Sequence, residues 1–226
     1  MSKRILITGA SRGLGKVAVE AFRADGHEVF PFTRKDCDFL HLDQWDGALP
    51  HDLDAVIHCA GGGLGLRGPY IPAKSFYDLF QVNLGGAAEL NRLVIPDMQA
   101  RRKGNIVHVC SIASGEAIGS VGYNTVKAAL AAYVRSLGRE LAPFAVVVSG
   151  ISPGGFSAPD NAMQRLRNDY PAVWQDFVSK RLPRGVMGQA EELIPLLKFL
   201  CSDEASMMGG CVVPIDAGEG HYYGSV

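Results

Sequence analysis

Short, nearly uninterrupted apolar runs alternate along the chain with longer stretches in which apolar positions recur at helical spacing. That alternation predicts parallel strands joined by crossover helices. Strands are expected at Arg4 to Thr8, Glu28 to Phe32, Ala55 to His58, Asn105 to Cys110, Ala145 to Ile151 and Val212 to Ile215, with helices at Gly13 to Asp25, Ser75 to Ala100, Gly122 to Leu141 and Glu191 to Ser202. Pro96 and Pro143 punctuate two of the helices. Runs such as Ile106-Val107-His108-Val109-Cys110 carry little polar alternation, as expected of strands covered on both faces. The pattern is that of a doubly wound α/β sheet.

One interval resists the scheme. About twenty residues separate the second strand from Ala55, and they must hold a third strand, placed at Cys37 to Leu40, although parallel neighbours ordinarily need a crossover of a dozen or more residues. Thr33 to Asp36 is too short for a helix. The helix after the second strand is therefore shortened or absent.

The 226 residues are 47% hydrophobic, enough for one substantial core, and show no repeat, low-complexity tract or linker, so 1–226 reads as a single domain. With 22 Lys and Arg against 23 Asp and Glu, and no basic cluster, the footprint of a nucleic-acid binder is missing. No apolar stretch approaches the roughly 20 residues that span a bilayer, and the apolar start shows no cleavage pattern. A soluble, cytoplasmic protein without a membrane partner is expected. Cys37, Cys59, Cys110, Cys201 and Cys211 are odd in number and form no C-x-x-C pair, so reduced, mostly buried thiols are expected. His58 and His108 fall on expected strands and read as core, and no residue spacing suggests a metal site.

Thr8-Gly9-Ala10-Ser11-Arg12-Gly13-Leu14-Gly15 follows the first strand and opens the first helix. Glycines there let the backbone turn sharply and approach a pyrophosphate, while a helix N-terminus offers unpaired N–H groups to the anion. Gly9, Ser11, Arg12, Gly13, Leu14 and Gly15 are thus candidates for binding a dinucleotide. Choice between the nicotinamide dinucleotides turns on the tip of the second strand, where an acid would bind the ribose hydroxyls and repel a 2′-phosphate. Phe32-Thr33-Arg34-Lys35 places no acid at that tip and two cations, and Arg12 approaches from the glycine turn. NADP(H) is favoured, with NAD(H) as the alternative.

Tyr123 and Lys127 are four apart at the start of an expected helix and share one face. A free phenol titrates near pH 10, and an ammonium beside it stabilises the phenolate, which suits such a pair to proton exchange with a substrate oxygen. Ser111 closes a strand at the carboxyl edge of the sheet, where open α/β folds bind ligands. Its hydroxyl can orient the same oxygen.

These residues resemble the short-chain dehydrogenase/reductase family over nearly the whole chain: the glycine opening, Cys59-Ala60-Gly61 in place of Asn-Ala-Gly, Asn83 in Val82-Asn83-Leu84, Ser111, Tyr123-x-x-x-Lys127, Pro153-Gly154, and the tail from Ser202-Asp203-Glu204-Ala205-Ser206 through Ile215-Asp216-Ala217-Gly218. The resemblance implies a Rossmann-type parallel sheet of about seven strands in three α/β/α layers. It implies a catalytic tetrad in which Asn83 holds a water near Lys127, Lys127 binds the nicotinamide ribose, Ser111 positions a carbonyl and Tyr123 donates the proton. It adds Thr33, Arg34, Asp38, Phe39, Cys59, Ala60, Gly61, Tyr123, Lys127, Pro153, Gly154, Phe156 and Ser157 to the cofactor contacts, with Asp43 competing with Asp38 and Phe39 for the adenine. The substrate would be a small carbonyl or alcohol. The helices Ser75 to Ala100 and Gly122 to Leu141 would build a homotetramer or homodimer.

The departures are specific. Cys59 loses the hydrogen bonds of the family's Asn; Ser111 and Tyr123 are twelve apart, one fewer than the commonest spacing; and Ala158 stands where a Thr usually bonds the carboxamide, with Ser157 one residue earlier. Residues 157–188 are the expected substrate lid, in which Met163, Tyr170, Trp174 and Phe177 either wall a pocket or belong to the core. The glycine-rich loop from Gly61 to Gly68 either shapes the substrate mouth or is plain connection. The contrasting function is a non-catalytic dinucleotide-binding redox sensor, which would not need the tetrad. A reductase of carrier-bound acyl groups would place Arg67, Arg165 or Arg167 near the mouth.

Overall fold

The structure is a computed structural model that describes residues 2–45 and 47–221. Its strands are β1 (Arg4–Thr8), β2 (Glu28–Phe32), β3 (Ala55–His58), β4 (Gly104–Val109), β5 (Val146–Pro153), β6 (Phe156–Ser157), β7 (Gly188–Gln189) and β8 (Val212–Ile215). Six of them form one parallel sheet in the order β2-β1-β3-β4-β5-β8, and β6 and β7 pair separately. The order reverses beside β1, which opens a crevice at the carboxyl ends of β1 and β3.

The helices are α1 (Gly13–Ala24), α2 (Ala73–Phe80), α3 (Gly86–Arg101), α4 (Val121–Leu141), α5 (Ala162–Asp169), α6 (Pro171–Arg181) and α7 (Ile194–Leu200). Successive strand residues serve opposite faces. Ile5 and Ile7 pack with Phe22, Leu197 and Leu200 on the α1/α7 side, while Leu6, Val56, Ile106 and Val148 pack with Leu90, Val94, Leu130 and Val134 on the α3/α4 side. Each fully buried Ile or Leu contributes roughly 1.5–3 kcal/mol.

Cys37 to Leu40 is not a strand, so the sheet has six strands where about seven were expected. Asp36 N and Cys37 N both donate to Thr33 O, turning the chain at once, and Cys37 and Phe39 drop into the α3/α4-side core. Phe39 lies so close to Gly86 that a Cβ there would collide with its ring. Pairing with β2 is given up for burial, and no helix forms before β3.

The expected helix Ser75 to Ala100 is divided by a π-helical turn at Gln81–Gly85. Pro96 lies inside α3 rather than ending it. An interior proline costs about 3 kcal/mol, which the buried face Leu90, Val94 and Met98 offsets. α5 and α6 fill the lid segment, and neither contributes a buried residue, so Met163, Tyr170, Trp174 and Phe177 are not core. Each outer strand of the sheet carries a proline, Pro31 in β2 and Pro214 in β8, where prolines are tolerated. No helix among the described residues is long and apolar enough to cross a membrane. The five cysteines are free thiols.

Candidate active site

The glycine turn joins β1 to α1 at the crevice. Gly9 and Gly13 adopt φ of +66° and +60°, the left-handed region that favours glycine. A Cβ on Gly9 would meet Ala60 N at 2.7 Å, and one on Gly15 would collide with the Gly9 carbonyl, so the cradle exists only with glycine at both positions. Arg12 caps α1 in extended conformation with no side-chain cap and no acid in the first turn, while Gly13 N already donates to Pro159 O at 2.8 Å, so the segment after β6 shares the helix start with any anion bound there. Ala60 N donates to Thr8 Oγ1 at 3.2 Å, tying the segment after β3 to the end of β1. These residues fit a dinucleotide pyrophosphate.

α4 begins where Ser120 Oγ accepts from Tyr123 N, which fixes Tyr123 in the first turn and Lys127 one turn on. Lys127 Nζ stands 5.7 Å from the centre of the Tyr123 ring and donates to Val109 O at 2.8 Å. Ser111 directly follows that strand end. Its Oγ accepts from Ala113 N at 3.1 Å, so its own proton remains to be donated. Asn124 holds the connecting segment tight, accepting from Gly119 N and donating to Glu116 O. The loop after β3 passes beside the same tyrosine, since a Cβ on Gly63 would touch Tyr123 Cδ2 at 3.9 Å.

Asn83 sits in the π-helical turn and is buried. Its Nδ2 donates to Gly62 O and Leu79 O, each at 2.9 Å, and its Oδ1 accepts from Gly62 N at 3.0 Å. The side chain is thus committed to the loop after β3. A Cβ on Gly61 would lie 2.8 Å from Asn83 Oδ1 and 3.6 Å from Lys127 Nζ, so this loop, Asn83 and Lys127 converge. Burial pushes the nearby Cys59 thiol up to about 12 against the opposing pull of Lys127, which keeps it protonated.

Behind the site lies a buried network that the apolar pattern did not reveal. His58 and His108, paired across β3 and β4, stack at 4.5 Å. Asn91 Oδ1 is 2.8 Å from His58 Nε2, while Asn91 Nδ2 is 3.3 Å from His108 Nε2 and donates to the Tyr133 hydroxyl at 3.1 Å. Burial drives His58 down to about 4, and burial with the neighbouring His58 and Lys127 drives His108 well down too, so both rings are neutral. The network takes one residue each from β3, α3, β4 and α4.

At the tip of β2 an acid does stand, contrary to expectation. Asp36 curls back so that its carboxylate accepts from both Thr33 N and Thr33 Oγ1 at 2.7 Å, and these hydrogen bonds hold it below the usual carboxylate value. Arg12, Arg34 and Lys35 are exposed around it. Asp38 accepts from Leu40 N, and Phe39 is buried, which leaves its backbone but not its ring to meet an adenine. Asp43 lies exposed on a short 3-10 turn. Pro153 ends β5, Gly154 and Gly155 follow, Phe156 and half-buried Ser157 form β6, and Ala158 is buried.

A family model described as enoyl-(acyl-carrier-protein) reductase, of the short-chain dehydrogenase C2 type, matches residues 43–219. Among curated proteins, the chain is 27% identical to a 2-dehydro-3-deoxy-L-rhamnonate dehydrogenase (NAD(+)) of Sphingomonas sp. (strain SKA58), over 89% of this chain and 88% of the relative. It is also 27% identical to the 3-oxoacyl-[acyl-carrier-protein] reductase MabA of Mycobacterium avium, over 97% and 91%. Among solved structures, an oxidoreductase of the short-chain family from Burkholderia thailandensis superposes with a TM-score of 0.84 at 24% identity, covering 97% of this chain and 93% of that one. A 3-oxoacyl (acyl-carrier-protein) reductase from Agrobacterium tumefaciens C58 with NADP bound superposes at 0.79 and 22% identity, covering 96% and 93%.

Proposed function

The chain belongs to the short-chain dehydrogenase/reductase family, and on that premise we propose that it is an NADP(H)-dependent oxidoreductase interconverting a carbonyl and an alcohol, with Tyr123 as proton donor in the reductive direction. The observation that carries this reading is the placement of Tyr123 and Lys127 on successive turns of α4, with Lys127 Nζ 5.7 Å from the centre of the Tyr123 ring and bonded to Val109 O, two residues before Ser111. The reduced dinucleotide, when bound, supplies the hydride.

The chain's own residues do the rest. Ser111 donates its hydroxyl proton to the carbonyl oxygen and holds it in reach of Tyr123. Lys127 has three donors; one is fixed on Val109 O, and the other two would serve the ribose hydroxyls of a bound dinucleotide. Its positive charge favours the phenolate left when Tyr123 gives up its proton. Asn83 pins the Gly62 backbone and so sets the wall that the nicotinamide passes. Pro153, Gly154, Phe156 and Ser157 line the opposite wall, with Ser157 standing in for the missing Thr. Arg12, Arg34 and Lys35 support the preference for a 2′-phosphate. Asp36 opposes it, because the Thr33 hydrogen bonds keep its carboxylate ionised, although they leave that carboxylate less free to bind ribose hydroxyls. A cytoplasmic homotetramer or homodimer built on α3 and α4 belongs to the same reading.

The test is absorbance at 340 nm with NADPH or NADH and a panel of ketones, aldehydes, quinones and 3-oxoacyl thioesters. Turnover with at least one carbonyl class is expected, faster with NADPH. Absence of turnover across the panel, with dinucleotide binding intact, would leave a binding protein instead.

A further inference from the structure

Glu219 follows β8 and is 3% exposed, yet it is a carboxylate. A buried charge persists only where donors hold it. Here the donors come from two separate segments. Gly155 N, in the turn after β5, donates to Glu219 Oε2, and Arg181, the last residue of α6, pairs with Oε1 at 3.4 Å. A Cβ on Gly155 would meet Glu219 Oε2, Met187 Sδ and Phe177 Cε1, each at 3.3 Å, so lid and turn close upon this carboxylate.

The segment presenting it is rigid. Asp216 accepts from Gly218 N at 3.0 Å and Gly220 N at 3.1 Å, and a Cβ on Gly220 would lie 3.7 Å from Ile112, the neighbour of Ser111. The lid is held at its two ends, by buried Ala158, Leu182 and Met187 and by Gly13 N donating to Pro159 O, whereas its helices α5 and α6 bury no residue. An element with few buried contacts opens at low free energy, and one well-placed interaction then sets its population. Two further ion pairs in this region, Lys180 with Asp176 within α6 and Arg184 with Glu192, have well-exposed side chains and are worth little.

We propose that Glu219 is a positioning residue: its carboxylate latches lid helix α6, through Arg181, to the Gly154–Gly155 wall of the candidate site, and thereby sets how firmly the dinucleotide and substrate are enclosed. The kinetic half of this proposal rests on the oxidoreductase reading; the latch itself does not.

The experiment compares Glu219→Gln, Arg181→Met, their double variant, Arg181→Lys and Arg184→Met. Gln at 219 keeps an acceptor for Gly155 N but removes the charge. Chymotrypsin nicking at Tyr170, Trp174 and Phe177 is expected to accelerate about tenfold in each single variant and no further in the double. Arg181→Lys and Arg184→Met should stay near the parent. With turnover, the apparent KM for the dinucleotide should rise about tenfold while kcat changes less than about twofold, and the melting temperature should hold. Nicking at the parent rate in both singles, or effects that multiply in the double, would overturn the latch. If Glu219→Gln fails to fold, the two Arg181 variants decide alone. Changed nicking without turnover in any variant would uphold the latch and remove the oxidoreductase reading.

Discussion

Lys127 Nζ donates to the backbone oxygen of Val109 at 2.8 Å, so the ammonium beside the Tyr123 ring is moored to the end of β4, two residues before Ser111. Proton transfer by a positioned side chain is worth about 100- to 10,000-fold. Tyr123→Phe should therefore lower kcat by that factor while leaving dinucleotide binding, followed by fluorescence, within about twofold. Lys127→Met should lower kcat and also weaken binding, since the same side chain is assigned to the ribose. Undiminished turnover in Tyr123→Phe would remove the proposed proton donor.

The tip of β2 offers a second test. Hydrogen bonds to charged groups are worth about 1.5–3 kcal/mol, so Arg34→Ala should reduce kcat/KM for NADPH about 10- to 100-fold and leave NADH nearly unchanged. Asp36→Asn, which keeps an acceptor for Thr33 but removes the charge, should shift preference further toward NADPH. Equal losses with both dinucleotides in Arg34→Ala would show that this arginine does not read the 2′-phosphate.

Acid stability follows from the buried histidines. His58 titrates near 6.5 when unfolded and is pushed down to about 4 when folded, and His108 is also held well below its ordinary value. Between those values only the unfolded chain binds the proton, so the contribution is complete above pH 6.5 and is lost as pH falls toward 4, by about 1.4 kcal/mol per pH unit for each histidine. Asp203, held below its ordinary 3.8 by the Lys3 side chain, acts only in a lower window. Melting temperature recorded from pH 7.5 to 4.5 should fall on acidification, less steeply in His58→Asn. A flat profile would contradict neutral burial of the pair.

Gly15→Ala tests the cradle. The added methyl meets the Gly9 carbonyl, which belongs to backbone and cannot swing aside. Dinucleotide affinity should weaken at least about tenfold, with some loss of melting temperature, whereas Lys16→Ala on the exposed face of α1 should change neither.

The positions of β1, β3, β4, α1 and α4 were legible because their apolar periods are long and unbroken, and the glycine turn and Tyr123-Lys127 pair are local patterns that their own elements position. Three features were not. The π-helical turn at Gln81–Gly85 reads as ordinary helix, because its Asn-Leu-Gly-Gly sequence breaks no period. Phe39 looked like a strand residue, and only the space opposite Gly86 shows why it turns inward. Asp36 stood three residues past the strand tip, and its return to Thr33 depends on a turn that residue spacing does not specify. Each is a tertiary demand overriding a local preference.

Pro31 and Pro214 sit on the two outermost strands. A proline has no amide hydrogen, so each rim of the sheet has an interruption in the ladder that a foreign strand would need for docking. Edge-to-edge zippering, the route to fibrils, is thereby disfavoured at both flanks.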